Sequence, residues 1–370
     1  MVVSFARNGA DLMDGSLVKF ESESDFGSFT LSNVAWDGLS GCLRVTRDDP
    51  TAGGVVESPN VEVRGGFDHL IVSWNALAPL GSYLTIYARG RVEGEWTKWY
   101  TMGIWNRGGC PQHRTSVKGQ EDDHGTVDCD VMKLKKLADA FSVKVELSST
   151  DGQSHPCLRF LAVNVIDSSV ASVGIPPLKH VWGTELDVPP LCQISAAGGR
   201  GWCSPTSTAM LLGYWSKRLG RPELGVGITE TAHACHDEAW GGTGNWPFNT
   251  AHAAEFGGIR AYVTRFAGVS QIERWIERGI PVIVSVHSSR LRREDSDTDP
   301  GHLMVVRGFT SDGDPIFNDP WPRGGRAEDA PKDFPPEDLR KVFKREDLEY
   351  AWLGPQNSSG TVYLIYPEKT

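Results

Sequence analysis

The chain has 370 residues, more than one hydrophobic core usually serves, so we expect two domains. Its apolar fraction of 39% and charged fraction of 23% are those of a folded globular protein. A formal net charge of −10, with no basic run, argues against nucleic acid or an anionic membrane as a partner. No window reaches the roughly 18 apolar residues of a membrane helix, so no membrane span is expected.

The first part of the chain is dominated by strand signals. Short stretches rich in β-branched and aromatic residues, such as HLIVSWNAL and SYLTIYARG, alternate with turn-forming clusters. They predict an all-β sandwich or jelly-roll domain over 1–168, in which only DVMKLKKLADAF hints at a helix. The aromatic residues Trp96, Trp99 and Tyr100 look exposed. They suggest either a carbohydrate- or envelope-binding surface or a purely structural domain, and both interpretations remain open.

The cysteine pattern gives limited information about the compartment. There are seven cysteines, so at least one thiol is free. Cys110 and Cys129 flank a polar loop and form either a disulfide or two free thiols. No Cys-x-x-Cys spacing is present, and neither a metal nor an organic cofactor is expected. The N-terminal stretch lacks a secretion-signal pattern, which leaves open whether the protein stays inside the cell.

The second half mixes helices and strands after a predicted linker, 169–185, that is rich in proline and small residues. Three helices are predicted in SPTSTAMLLGYWSKRL, NTAHAAEFGG and VSQIERWIERG. Three strands are then predicted in IPVIVSV, GHLMVVRGF and PIFNDP. Helices followed by strands predict an α+β domain over 186–370.

Cys203 is the candidate nucleophile of this domain. It stands just before Ser204 and Pro205, where Ser204 is expected to cap the helix and Pro205 to lie in its first turn. Unpaired N–H groups and the positive end of the dipole favour a thiolate at such a position. Gln193, which is separated from Cys203 by a glycine-rich turn, is the candidate side-chain donor to an oxyanion. Taken alone, both residues are also typical of ordinary packing and loop positions.

A base and an orienting group are found on the predicted strands. His302 opens one apolar strand, and Asp319 ends the next, so adjacent antiparallel pairing would bring the two together. Asn318 is the competing orienting residue. Side chains alternate along a strand, so only one of Asn318 and Asp319 can face His302.

These motifs together resemble a known family. The ordered set VPPLCQIS, GWCSPTSTAMLLGYW, GNWPFNTAHAAEFG, WIERGIPVIVSV, GHLMVVRGFTSDGDPIFNDP and VYLIYP resembles the bacterial cysteine peptidases related to the bacteriocin-leader-processing, double-glycine-type peptidases of the papain-like superfamily. The resemblance implies a papain-like fold over about 185–367. It also implies Cys203 as nucleophile, His302 as base, Asp319 as orienting group and Gln193 as oxyanion donor.

Departures from the family pattern bear on the substrate and on the site. Ser204 stands where the family commonly has glycine, and we expect it to crowd the oxyanion slightly. The chain has no nucleotide-binding motif, so a transporter-linked role is not expected and the specificity for a peptide or protein substrate is open. Relatives with an insert like GNWPFNTA are mostly exported, which favours an extracytoplasmic location.

Two alternatives to a peptidase remain open from the sequence. A transglutaminase-like acyl transferase would need the same cysteine, histidine and aspartate but would use an amine in place of water. A non-catalytic binding protein would use the papain-like half only to form a groove.

Overall fold

The computed structural model describes residues 2–4, 17–46, 52–170, 174–294, 301–326, 332–354 and 357–368. The helices in this part of the chain are α1 (Glu23–Phe26), α2 (Cys203–Leu219), α3 (Ile228–Cys235), α4 (Trp246–Ala254), α5 (Val269–Glu277), α6 (Ser288–Leu291), α7 (Pro336–Leu339) and α8 (Arg345–Trp352). None of these helices is long and apolar enough to cross a bilayer.

The strands of the described residues are interleaved with several helices in the second half and with α1 alone in the first. In chain order they are β1 (Val2–Ser4), β2 (Leu17–Phe20), β3 (Thr30–Ser32), β4 (Val34–Asp37), β5 (Cys42–Val45), β6 (Gly54–Glu57), β7 (Val61–Leu77), β8 (Ser82–Val92), β9 (Glu95–Trp96), β10 (Tyr100–Asn106), β11 (Gly125–Asp128), β12 (Val131–Ser149), β13 (Cys157–Ile166), β14 (Ile259–Arg265), β15 (Val282–Val286), β16 (His302–Phe309), β17 (Pro315–Asn318), β18 (Arg340–Val342) and β19 (Thr361–Pro367).

The chain divides into two compact units. The first contains Met1–Ser168 and His236–Glu255, and the second contains Ser169–Cys235 and Phe256–Thr370. This division differs from the predicted domains, because 236–255 was expected in the second domain. Phe248 of α4 explains the difference. It is fully buried, and its ring centroid lies 6.0 Å from that of Trp74 and 5.4 Å from that of Trp105.

The first unit is a large β-sheet domain, as its strand-rich sequence predicts. Its strands join in one network whose main path runs β10-β8-β12-β7-β13-β5-β4. The pairs on this path are antiparallel, whereas β1 pairs in parallel with β7. The sandwich or jelly-roll arrangement remains a prediction.

The helix hinted at by DVMKLKKLADAF is not formed, because these residues belong to β12 except for the first. Strand β12 pairs with β6, β7 and β8, with irregular register between Lys133 and Ala140. Met132 and Phe141 are fully buried in this arrangement. Tertiary pairing on both edges therefore outweighs the local preference for a helix, which is weak in isolation.

The disulfide of the first unit joins Cys42 and Cys157, which begin strands β5 and β13. The neighbouring residues Leu43 and Leu158 pair across these two strands, which brings the sulfurs together. Cys110 and Cys129 are both free thiols, so the second of the two alternatives left open for them is the one found.

The second unit contains an antiparallel sheet ordered β14-β19-β15-β16-β17-β18. Helix α2 packs on β16 and β19. The predicted helices correspond to α2, α4 and α5, and the three predicted strands correspond to β15, β16 and β17. The chain is thus a mixed α/β protein. In its second unit α2 and α3 precede the sheet, whereas α5, α6, α7 and α8 lie between its strands along the sequence, so the predicted order of helices first and strands later is found only in part.

The predicted linker is largely part of the second unit. Residues 171–173 lie outside the described residues, but the following stretch is held by the buried carboxylate of Glu273. That carboxylate accepts hydrogen bonds from the backbone N–H of Leu178 at 2.7 Å and from Trp182 Nε1 at 2.8 Å. Arg345 completes the set with a contact of 2.6 Å. A buried carboxylate with three donors fixes this stretch rather than leaving it as a free connection.

Candidate active site

Cys203 is the first residue of α2, where the sequence predicts an anion-stabilising position. The helix begins two residues earlier than a cap at Ser204 implies, and its N-cap is Trp202, which makes no side-chain capping bond. Ser204 is therefore inside the helix rather than its cap. Without a capping side chain, the N–H groups of the first turn remain available to a negative charge close to the half-buried sulfur.

The side chain of His302 lies close enough to the Cys203 thiol for the two groups to shift each other's pKa. Burial by itself raises the pKa of the thiol, but the hydrogen bond and positive charge of His302 outweigh it. Backbone N–H groups of Leu303 and Ser204 act in the same direction, and the pKa of Cys203 falls below its ordinary value. This arrangement favours the thiolate, which is the nucleophilic form of cysteine.

His302 is the first residue of β16, and Asp319 directly follows β17. Because Asn318 pairs with Val305 in the antiparallel register, the end of β17 lies beside the start of β16. Nε2 of His302 lies 2.6 Å from Oδ1 of Asp319. This bond occupies Nε2 and leaves Nδ1 as the ring nitrogen that could exchange a proton with the Cys203 thiol.

The opposite charges of His302 and Asp319 stabilise each other. Burial opposes a charged His302, but the carboxylate of Asp319 and the sulfur of Cys203 raise the pKa of the imidazole to about 10. Burial also opposes a charged Asp319, but His302 and Lys341 lower its pKa to about 2. The arrangement favours the imidazolium form of His302 beside the carboxylate form of Asp319.

Asn318 faces away from His302, as alternation along β17 requires. Its Nδ2 donates to the carbonyl of Val188 at 2.9 Å, and its Oδ1 accepts from Arg307 Nη1 at 3.0 Å. Of the two candidate orienting residues, Asp319 is therefore the one placed against the imidazole.

Gln193 is buried, but its amide is occupied. Nε2 donates to the carbonyl oxygens of Gly199 at 2.8 Å and Arg200 at 3.0 Å. Oε1 has no hydrogen-bond partner among the described residues. Turning the amide over would place Oε1 against two carbonyl oxygens, so the observed orientation is the favourable one. Gln193 thus closes the turn that leads to Cys203, and an oxyanion would have to compete for one of its N–H groups.

Ser204 does not crowd the nucleophile. Its side chain is fully buried, and its hydroxyl lies 2.9 Å from the hydroxyl of Tyr363 on β19. The expectation that Ser204 narrows the approach to the oxyanion fails because the hydroxyl points into the interior between helix and sheet.

Two contacts to Asp319 are not predicted from the sequence. The backbone N–H of Trp321 donates to Oδ1 at 2.8 Å, and Lys341 Nζ donates to Oδ2 at 2.6 Å. Lys341 lies on β18, a three-residue strand with no strong sequence signal. Only the pairing of β18 with β17 brings this lysine to the carboxylate.

The aromatic residues singled out in the first unit have different surroundings. Tyr100 is fully buried, and its hydroxyl donates to Asp122 at 2.6 Å, so the expectation that it is exposed is wrong. Trp96 and Trp99 are half-buried. The guanidinium of Arg89 lies 4.7 Å and 4.2 Å from the centroids of their rings.

Comparison with protein families supports the identification of the second half of the chain. Residues 17–165 match the family described as the Peptidase C39 N-terminal domain. Residues 185–346 match the Peptidase_C39 like family. The chain carries a C39-like peptidase domain. The family resemblance drawn from the motifs is thereby confirmed, and the match supports a cysteine peptidase in general.

Solved structures similar to this chain include proteins of two kinds. A protein from Bacillus anthracis, itself described as C39-like, has 16% identity and a TM-score of 0.31, with 52% of this chain and 98% of the other covered. A carbohydrate-binding module of a laminarinase from Zobellia galactanivorans has 12% identity and a TM-score of 0.23, with 40% and 98% covered. These TM-scores are too low to support an argument. No curated protein matches the chain.

Proposed function

We propose that the protein is a papain-like thiol hydrolase that cleaves peptide bonds with Cys203, His302 and Asp319. The observation that carries this proposal is the 2.6 Å contact between His302 and Asp319, with the Cys203 thiol near enough to His302 for the imidazole to lower the pKa of the thiol. The lowered pKa of the thiol and the raised pKa of the imidazole fit a preformed thiolate–imidazolium pair. A structural cysteine buried for packing would have the opposite shift of its pKa.

In the proposed reaction, the Cys203 thiolate attacks the carbonyl carbon of the scissile amide. The carbonyl oxygen becomes an oxyanion, and the imidazolium of His302 gives its Nδ1 proton to the departing amine. A water molecule then attacks the thioester while His302 accepts one of its protons. The carboxylic acid product leaves, and the thiolate–imidazolium pair is restored. Throughout, Asp319 keeps the imidazole oriented and stabilises its charged form.

The N–H of Cys203 and the amide of Gln193 are the proposed donors to the oxyanion. Gln193 can serve only if one of its N–H groups leaves a loop carbonyl, and the bond to Arg200 is the longer of the two at 3.0 Å. Removal of one such donor typically reduces kcat by about 10²–10³-fold. We therefore expect Gln193→Ala to reduce kcat while the pH dependence of Cys203 alkylation stays close to that of the wild type.

A peptide with an apolar side chain near the scissile bond is the proposed substrate. A cavity of about 250 Å³ adjoins the loop of Gln193, and its apolar walls include Leu191, Phe334 and Leu339. Two backbone bonds connect this region to the site, from Gln193 N to the Pro320 carbonyl and from Asp319 N to the Leu339 carbonyl. Burial of an apolar side chain there would contribute roughly 1.5–3 kcal/mol to binding.

The decisive experiment exposes a peptide library to the wild type and to Cys203→Ala side by side, with product analysis by mass spectrometry. A specific cut made by the wild type alone supports the proposal. Cleavage by both proteins contradicts the proposal. Cleavage by neither protein also contradicts it if Cys203 titrates as an ordinary thiol near pH 8.5. An added primary amine that captures the acyl group in place of water would identify an acyl transferase instead.

An extracytoplasmic location is part of the proposal. Disulfides persist mainly in oxidising compartments, and the first unit contains the bond between Cys42 and Cys157. Thiol titration of protein isolated under native conditions should show two additional reactive thiols per chain after reduction. An unchanged count would mean that the bond is not formed in the cell, and it would remove this support for export.

A further inference from the structure

Lys341 is held against the side of Asp319 that faces away from His302. Its Nζ donates to Oδ2 of Asp319 at 2.6 Å and to the carbonyl of Trp321 at 2.9 Å. Its side chain is only 14% exposed. The register of β18 and β17, in which Lys341 pairs with Phe317, places the lysine on the same face as Asp319. A largely buried ammonium with two defined acceptors differs from a flexible surface lysine.

The carboxylate of Asp319 is thereby shared between two cations. The titratable groups that face it in the described part of the chain are His302, from β16, and Lys341, from β18. The groups that face His302 are Asp319 and Cys203. Lys341 thus supplies the positive charge that balances the thiolate, the imidazolium and the carboxylate to a net charge of zero.

Resting on the proposed function above, we propose that Lys341 is a positioning residue that sets the pH range in which Cys203 is a thiolate. Its positive charge favours loss of the proton from both the imidazolium and the thiol. Removal of that charge should therefore move both titrations of the Cys203–His302 pair to higher pH. Loss of the bond to Oδ2 should also loosen Asp319 and, through it, the orientation of His302.

The test measures the rate of alkylation of Cys203 by iodoacetamide between pH 4 and 9, followed on the Cys203-containing peptide by mass spectrometry. The variants are Lys341→Met, Lys341→Gln, which retains a donor without the charge, and Lys341→Arg, which retains the charge. Lys344→Met is the matched control, because it removes a lysine of the same region whose partner is Asp314, at 2.8 Å. Near-ultraviolet circular dichroism verifies that each variant is folded.

We expect the acid limb of the alkylation profile to move up by about one pH unit in Lys341→Met and Lys341→Gln. Lys341→Arg should recover most of the shift, and Lys344→Met should match the wild type. A folded neutral variant with the wild-type profile would overturn the role of Lys341 and leave the proposed function intact. A wild-type Cys203 that titrates like an ordinary thiol near pH 8.5 would overturn both.

Discussion

Nε2 of His302, the first residue of β16, lies 2.6 Å from Oδ1 of Asp319, the residue that directly follows β17. Both side chains are largely shielded, with 13% and 3% of their surfaces exposed. At such depth a carboxylate stabilises an imidazolium much more than at the protein surface. This relationship makes the chemistry of Cys203 depend on a residue that does not touch it.

Replacement of Asp319 should mainly reduce catalysis, whereas replacement of its neighbour Asn318 should mainly reduce stability. Asp319→Asn removes the negative charge that holds His302, so we expect kcat to fall on the order of 10²–10⁴-fold. Asn318→Ala instead leaves the buried carbonyl of Val188 and the half-buried guanidinium of Arg307 each without one partner, which should cost about 1–3 kcal/mol of stability. Steady-state kinetics and denaturant unfolding of both variants test the pair. An Asn318→Ala protein with the larger kinetic defect would reverse the assignment.

The stability contributed by His302 and Asp319 should depend on pH in a defined way. The raised pKa of His302 stabilises the folded state fully below about pH 6.5, its unfolded value, and this contribution is lost as pH rises through the folded value. The lowered pKa of Asp319 stabilises the folded state above about pH 3.9, its unfolded value. This contribution is lost as the pH falls towards the pKa of Asp319 in the folded state. Together the two give a plateau from about pH 4 to about pH 6.5.

The measurement is best made in Cys203→Ala, where the thiol no longer titrates. Unfolding free energies of Cys203→Ala and of Cys203→Ala with His302→Gln should differ most on the plateau and converge at higher pH. A difference that grows above pH 7 would contradict the sign of the His302 shift.

Gly199 should be irreplaceable in the turn before Cys203. A Cβ atom there would lie 1.7 Å from the carbonyl oxygen of Gln193, so the turn would have to shift. A displacement of about 1 Å near a reacting centre can reduce the rate roughly 10²-fold, and we expect a loss of this order in Gly199→Ala. Gly201→Ala is the matched control, because no atom of the described residues beyond its chain neighbours lies within 4 Å of its added Cβ. Equal activity of both variants would show that this turn does not need its present geometry.

Phe248 should be a major stabilising residue of the first unit, although it lies far along the chain from its ring partners. Phe248→Ala removes a fully buried ring between Trp74 and Trp105, for which we expect a loss of about 3–5 kcal/mol. Leu39→Ala is a suitable control, because Leu39 is fully exposed and should change stability by less than about 0.5 kcal/mol. Denaturant unfolding of the full chain measures both. Similar values for the two variants would contradict the packing described for 236–255.

The features of this protein that depend on local pattern could be predicted from the sequence. Periodicity and composition predicted the strand-rich first part, the helix after Cys203 and the strands that carry His302 and Asp319, because alternation and helical spacing reflect which side chains must be buried. Ordered motifs led to the C39-like family.

Tertiary structure alone decided the features that depend on pairing between distant segments. The stretch 131–141 became a strand because it hydrogen-bonds on both edges, and Cys42 met Cys157 because their strands are neighbours. Lys341 reached Asp319 through the register of β18 and β17. Helix α4 belongs to the first unit because the ring of Phe248 packs against Trp105, a contact that no local sequence pattern predicts. Such contacts are set by the packing of the whole chain, which no short window of sequence contains.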